Sequence, residues 1–187
     1  MLPFQPRPKE CAQCGTKFMP FSSTSRVCSP TCARNIVKAD RAYTKVQTKA
    51  RKAELETIPE LTKLAQQSFN KWVRARDEAQ PCISCGKPPP DPAYYQGGRD
   101  AGHYRSTGAA AHLRFHEDNC HAQCVKCNQW KAGNAVDYRI ALVARIGVDR
   151  VAALEASNEP HKWTREELRE IRATYISKLK ALQKERA

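Results

Sequence analysis

Long apolar runs are missing from this 187-residue chain. No stretch approaches the roughly 20 apolar residues of a transmembrane helix, so a membrane is not the expected partner. The N-terminus, MLPFQPRPKEC, lacks the apolar segment of a secretory signal, and the expected location is a reducing cytoplasm. Acidic residues are few, 19 against 32 basic ones, which leaves a formal net charge of +13 and a pI near 9.5. That imbalance implies a polyanionic partner, nucleic acid before membrane. The length fits either one domain or a small domain with appendages.

Cysteine, in contrast, is plentiful. Eight of the nine form close pairs, Cys11/Cys14, Cys28/Cys32, Cys82/Cys85 and Cys124/Cys127. In a reducing compartment such spacing suits metal knuckles better than disulfides. Cys82, Cys85, Cys124 and Cys127 are the expected ligands of one structural Zn²⁺ that staples two distant segments. Cys11, Cys14, Cys28 and Cys32 make a second set, C-x₂-C-x₁₃-C-x₃-C, expected to hold another zinc in a small ribbon or clef. The leftover Cys120 reads as a small buried apolar residue.

Four regions follow. Residues 1–32 form the N-terminal zinc module, with Phe18, Phe21 and Val27 as meagre apolar content; zinc contributes roughly 10–16 kcal/mol in such modules and substitutes for a core. Residues 33–80 hold no glycine and read as two basic-region helices. Arg34, Lys38, Arg41, Lys45 and Lys49 fall on one helical face, a candidate DNA-tracking stripe. Thr57-Ile-Pro-Glu breaks the helix, and Leu61, Leu64, Ala65, Phe69, Trp72 and Val73 form the apolar side of the second, which is expected to reach about Gln80. Residues 81–160 carry the chemistry. Here KPPPDP after Cys85 opposes helix and Gly97-Gly98 marks a turn; His103 is expected near the end of a short strand, with residues 113–115 as its hairpin partner. The second knuckle is expected to open a helix through Asn128 and Lys131 that ends at Gly133-Asn134. Residues 161–187 form a C-terminal helix capped by Thr164 and Glu167. Its seam, Leu168, Ile171, Tyr175, Leu179 and Leu182, packs either on the second basic-region helix or on the same helix of another subunit, making a homodimer.

Between the knuckles stand groups suited to phosphodiester hydrolysis. A neutral His103 can take the proton of a nucleophilic water near pH 7. Asn128 offers a hard oxygen to a catalytic Mg²⁺ or Mn²⁺. Asn119 could fix the His103 ring through its other nitrogen, and Lys131 or Arg105 could meet the phosphate. His112 and His116 read as exposed or at most as phosphate contacts, and His161 as structural.

The ordered set C-x₂-C, GH, N, C-x₂-C-N resembles the HNH (ββα-metal) endonucleases, especially the branch that includes phage endonuclease VII. More narrowly, CISCGK, AGHYRS, LRFHEDN, QCVKCNQWKAGN and DYR, with RIGVDRVAALEASN and HKWTREEL, are similar to the lambdoid phage NinG/Rap recombination endonucleases over nearly the whole chain. The resemblance implies an α+β, mostly helical fold with a zinc-stapled ββα-metal core, and metal-dependent cutting of branched recombination intermediates such as Holliday junctions and D-loops. Other recombination proteins are candidate partners. It casts His103 as general base, Asn119 as the central asparagine and Asn128 as metal ligand. Many HNH sites place a ligand directly before the base, where this chain has Gly102; Asp100 and His121 are the candidates to replace it. Two other readings stay open, a zinc-stabilised branched-DNA-binding accessory protein without catalysis and a sequence-specific HNH nuclease.

Overall fold

A computed structural model describes residues 7–89 and 99–186, so the turn expected at Gly97-Gly98 and the end of KPPPDP lie outside the described residues. The backbone forms two compact units, residues 1–56 and 57–187; the two helices expected within 33–80 fall one in each. The architecture is α+β and mostly helical, with two small antiparallel sheets. No helix of the described residues is long and apolar enough to cross a membrane.

The first unit opens with a hairpin, β1 (Lys9–Glu10) paired with β2 (Lys17–Phe18). Gly15, at φ 72°, closes the first cysteine turn in a left-handed conformation that disfavours other residues. The long helix α1 (Pro30–Leu55) follows. Ser29 caps it by accepting the Cys32 N–H at 3.2 Å, and Pro30 sits where no intrahelical N–H is required. Cys11 is buried, whereas Phe21 is 99% exposed and contributes no core, contrary to expectation. So little apolar burial leaves this unit without a core of ordinary size.

In the second unit α2 (Ile58–Arg76) starts at the expected break: the Thr57 N–H donates to the Glu60 carboxylate at 2.8 Å. The helix stops at Arg76, short of Gln80. Its buried side is Leu61, Ala65, Phe69, Trp72 and Val73, with Leu64 half-buried. Against it lies α5 (Arg165–Glu185), opened by the expected capping box of Thr164 and Glu167. Phe69 meets Tyr175 edge-on at 4.8 Å, Lys178 lies over Trp72, and Arg186 bonds Glu78, so the helices run in the same sense. The α5 seam therefore packs back on α2.

Strand β3 (Asp100–His103) pairs antiparallel with β4 (Cys120–Gln123). Residues 113–115, expected as the partner, instead lie in a 3₁₀ turn (Ala111–Leu113) and its exit. Their apolar side chains, Leu113 and Phe115, pack into two different cores rather than onto one sheet face. What holds β4 is remote in sequence. The Ala122 N–H donates to Asp77 at 2.9 Å, and Arg76, which clamps Asp77, donates to Cys120 O at 2.8 Å. Burial would raise the Asp77 carboxyl, but Arg76 outweighs it and holds it below its ordinary value.

After the second knuckle comes a π-helical turn, Lys126–Trp130, where a helix reaching Lys131 was expected. It ends with Lys131 as its C-cap, before the expected Gly133-Asn134, and Ala132, Gly133 and Asn134 follow at positive φ. Helices α3 (Ala135–Ile146) and α4 (Val148–Ala156) then bury Tyr138, Leu142, Val151 and Leu154 around Ile83 and Leu113.

Candidate functional site

The sulfurs of Cys82, Cys85, Cys124 and Cys127 lie within 4.8 Å of one another, as do those of Cys11, Cys14, Cys28 and Cys32. Separations of 3.8 Å for Cys85–Cys124 and 3.6 Å for Cys14–Cys28 and Cys28–Cys32 are far too long for disulfides. They match the edge of a tetrahedron of sulfurs around zinc, roughly 3.8 Å for Zn–S bonds of about 2.3 Å. Both clusters could hold zinc. Gly86, at φ 67°, closes the Cys82–Cys85 turn, and its N–H donates to Cys82 O at 2.9 Å. Burial alone would raise the Cys82 thiol, but backbone N–H groups of Cys124, Cys85 and Ser84 bring it to about 7, whereas burial raises the Cys124 and Cys127 thiols.

Paired residues of an antiparallel sheet share a face. Asp100, Gly102, His121 and Gln123 therefore face the second knuckle and α3, while Ala101, His103, Cys120 and Ala122 face α2. On the first face the structure brings Asp100 to Asn128: the amides of Asn128 and Gln129 both donate to Asp100 Oδ2 at 2.9 Å. Gln129 was not singled out from the sequence, although it directly follows Asn128. His121 does not join them. It is buried, its Nδ1 lies 3.4 Å from the Tyr138 hydroxyl, and burial and Arg76 push it down to about 4. Gly102 has a steric reason: a Cβ there would stand 2.1 Å from Gln123 Oε1. The buried Gln123 amide donates to Ser84 Oγ and to Gly133 O at 2.7 and 2.6 Å, tying the first knuckle to the exit of the second.

On the other face the His103 Nε2–H donates to Arg114 O at 2.9 Å, and Nδ1 lies 3.8 Å from Cys120 Sγ. A carbonyl only accepts, so the proton sits on Nε2 and Nδ1 keeps its lone pair. Burial lowers the pKa, and the ring is neutral at pH 7. Among the described residues no hydrogen bond joins His103 to Asp100 or Asn128. Cys120 is fully buried, as expected, and burial raises its thiol far above the ordinary range.

Asn119 bonds other partners than the His103 ring. Its Oδ1 accepts the Arg105 N–H at 2.8 Å, and its Nδ2 donates to Arg105 O and Leu113 O at 3.0 and 3.1 Å. It fastens the loop leaving β3 rather than the His103 ring. Asn119→Ala would strand buried backbone groups and is expected to destabilise the second unit by about 3 kcal/mol in urea unfolding. Arg105 is likewise occupied: it donates to Leu154 O and Ser157 O and to Asn158 Oδ1, holding the end of α4. It is not placed for a phosphate, whereas Lys131 is exposed. His112 is half-buried, with Nε2 3.0 Å from Ser157 Oγ, and His116 is exposed. His161 sits 3.3 Å from Glu167 and packs on Trp163. The basic side chains expected to track DNA, Arg34, Lys38, Arg41, Lys45 and Lys49, are all exposed on α1.

Comparison with known proteins agrees on one family. The family model described as "Bacteriophage Lambda NinG protein" matches residues 4–185. Protein ninG of Escherichia phage lambda is 39% identical over 194 residues, covering 94% of this chain and 92% of that protein. Protein ninG of Salmonella phage P22 is also 39% identical, covering 94% and 93%. Protein ninG of Escherichia phage 933W is 38% identical over 202 residues, covering 98% of each. No solved structure matches. With the match running through both cysteine clusters and the segment between them, the chain belongs to the NinG family of bacteriophage proteins.

Proposed function

We propose that this chain is a metal-dependent endonuclease of branched DNA, working from a ββα-type centre stapled by zinc. The observation that carries this reading is the meeting of Asp100 with the Asn128 and Gln129 amides, directly beside the Cys82–Cys127 cluster. A half-turn of the Asn128 amide presents its oxygen, and the pair then offers hard oxygen ligands suited to Mg²⁺ or Mn²⁺. A cation held by Asp100 and Asn128 would supply positive charge to the scissile phosphate and the leaving 3′-oxygen. His103 is the general base of this reading, and Arg114 O keeps the proton on Nε2. Nδ1 lies against Cys120 Sγ on the face opposite Asp100, so the ring would have to turn for Nδ1 to take a proton from water at Asp100 and Asn128. Lys131 stands near enough in sequence to Asn128 to meet the phosphate.

A second reading, a branched-DNA-binding protein without catalysis, is favoured by His103 facing α2 rather than Asp100. His103→Ala separates the two on a labelled four-way junction with Mg²⁺. In the nuclease reading the variant loses cutting and keeps binding; wild type that binds tightly and never cuts, with either Mg²⁺ or Mn²⁺, supports the second.

DNA binding in this reading rests on the α1 stripe of Arg34, Lys38, Arg41, Lys45, Lys49 and Lys52. Six phosphate contacts give a log–log salt dependence of about −5. Lys38→Gln, Arg41→Gln and Lys45→Gln combined are expected to reduce that slope by roughly 3, as read by fluorescence anisotropy across a salt series. Selectivity for branches then comes from DNA shape and deformability.

A further inference from the structure

Helix α1 spans 26 residues without one buried side chain, although helices in proteins draw most of their stability from packing an apolar face. Six of its apolar residues are ordered, whereas the exposed Val37 and Leu55 lie off their line. Ile36, Ala39, Tyr43, Val46, Ala50 and Ala53 recur at alternating steps of three and four, the a and d positions of successive heptads. Tyr43 and Val46 are 67% and 64% exposed. At about 100° per residue, this seam is centred roughly 130° around the helix from the basic stripe. One face is thus apolar and the opposite face basic, which leaves room for two partners at once.

We infer that α1 pairs with α1 of a second copy of this chain as a parallel two-stranded coiled coil. The flanking charges select both the partner and its direction. Asp40 and Glu54 occupy e positions and Lys49 a g position. In a parallel pair each g residue faces the e residue five places on, so Lys49 meets Glu54 of the partner subunit. An antiparallel pair would bring e against e, carboxylate beside carboxylate. The small Ala39, Ala50 and Ala53 permit close approach, and Ile36 and Val46 supply branched side chains to the seam. The other apolar seam of the chain, on α5, is already spent against α2. Because Cys28 and Cys32 lie at the start of α1, a parallel pair sets two N-terminal cysteine clusters at one end and leaves Arg34, Lys38, Arg41 and Lys45 of each stripe facing outward, with Lys49 turned to the seam. This pairing does not depend on the nuclease reading, since association is measured without any cleavage.

Sedimentation equilibrium of the full, zinc-loaded chain tests it. A reversible dimer is expected. Tyr43→Glu with Val46→Glu should raise its dissociation constant at least about a hundredfold, because like charges would face each other across the seam. Thr44→Glu, outside both the seam and the basic stripe, should leave it unchanged. Circular dichroism and zinc content verify that each variant stays folded. Glu54→Lys alone should weaken the dimer, and adding Lys49→Glu should restore it. A chain that is monomeric at every concentration, or a dimer indifferent to the paired Glu substitutions, overturns the pairing; a charge swap that fails to restore association overturns its parallel direction.

Discussion

Stripping zinc from Cys82, Cys85, Cys124 and Cys127 is expected to unfold the second unit. Structural zinc contributes roughly 10–16 kcal/mol in such sites, as much as the whole stability of an ordinary domain, about 5–15 kcal/mol. The geometry shows what would be lost. Ile83, between Cys82 and Cys85, is buried in the core of Tyr138, Leu142 and Val151, and its N–H donates to Ala122 O at 3.1 Å on β4. Cys124 follows β4 directly, and its N–H donates to Cys82 Sγ at 3.3 Å. Releasing the metal frees Ile83 and the end of the sheet together. Metal analysis should find two zinc ions per chain, and a strong chelator should abolish the cooperative thermal transition. Cys82→Ser or Cys127→Ser should fail in the same way, whereas Cys120→Ala, which removes only a buried thiol from the α2–α5 core, should cost about 1 kcal/mol. A thermal transition unchanged by chelation would show that the cysteine clusters do not carry the fold.

The second large effect concerns cleavage. Asp100→Ala removes the carboxylate shared by Asn128 and Gln129 and is expected to slow junction cleavage by about 10²–10³-fold while junction binding persists. It should also raise the Mg²⁺ concentration needed for half-maximal rate. His103→Ala is expected to cost about 10²–10⁴-fold, the usual contribution of a positioned general base, without changing that Mg²⁺ requirement. His103 has its pKa lowered by burial from 6.5, so the base form persists below the ordinary histidine range. The rate should therefore hold as pH falls through 6.5 and decline only further down. Single-turnover rates from pH 5 to 8 check this; an acid limb above 6.5 would remove His103 from the role. His121, though pushed down to about 4, is shielded by Tyr138 and should affect stability before metal affinity.

Features set by local chemistry were legible in the sequence. The cysteine spacings lead to two compact sulfur clusters because each pair closes its own tight turn, with Gly15 and Gly86 supplying the left-handed residue. The breaks at Thr57 and Thr164 follow from side chains three residues apart. The apolar stripes of α2 and α5 follow from helical spacing, and their mutual packing decides between the two partners open to the C-terminal seam. Features set by distant partners were not legible. Cys120–Gln123 carries no β-branched residue that would mark a strand, and is one because Arg76 and Asp77 at the end of α2 satisfy its backbone. Leu113 and Phe115 look like a strand and are not one, since they serve separate cores. Asn119 and Arg105 read as chemistry, and their side chains bond backbone groups that no residue pattern reveals. Gly102 reads as a missing ligand, and its reason is Gln123, brought across from the partner strand.

The central claim is cleavage that requires both a divalent cation and a branch in the DNA. Its most direct test is a labelled four-way junction beside its matched linear duplex, incubated with the zinc-loaded chain in Mg²⁺, in Mn²⁺ and in EDTA. The account predicts cutting of the junction near the branch with either cation, none in EDTA, and little or none of the duplex. Equal cutting of both substrates would contradict selectivity for branches, and tight junction binding without cutting in either cation would contradict the nuclease itself.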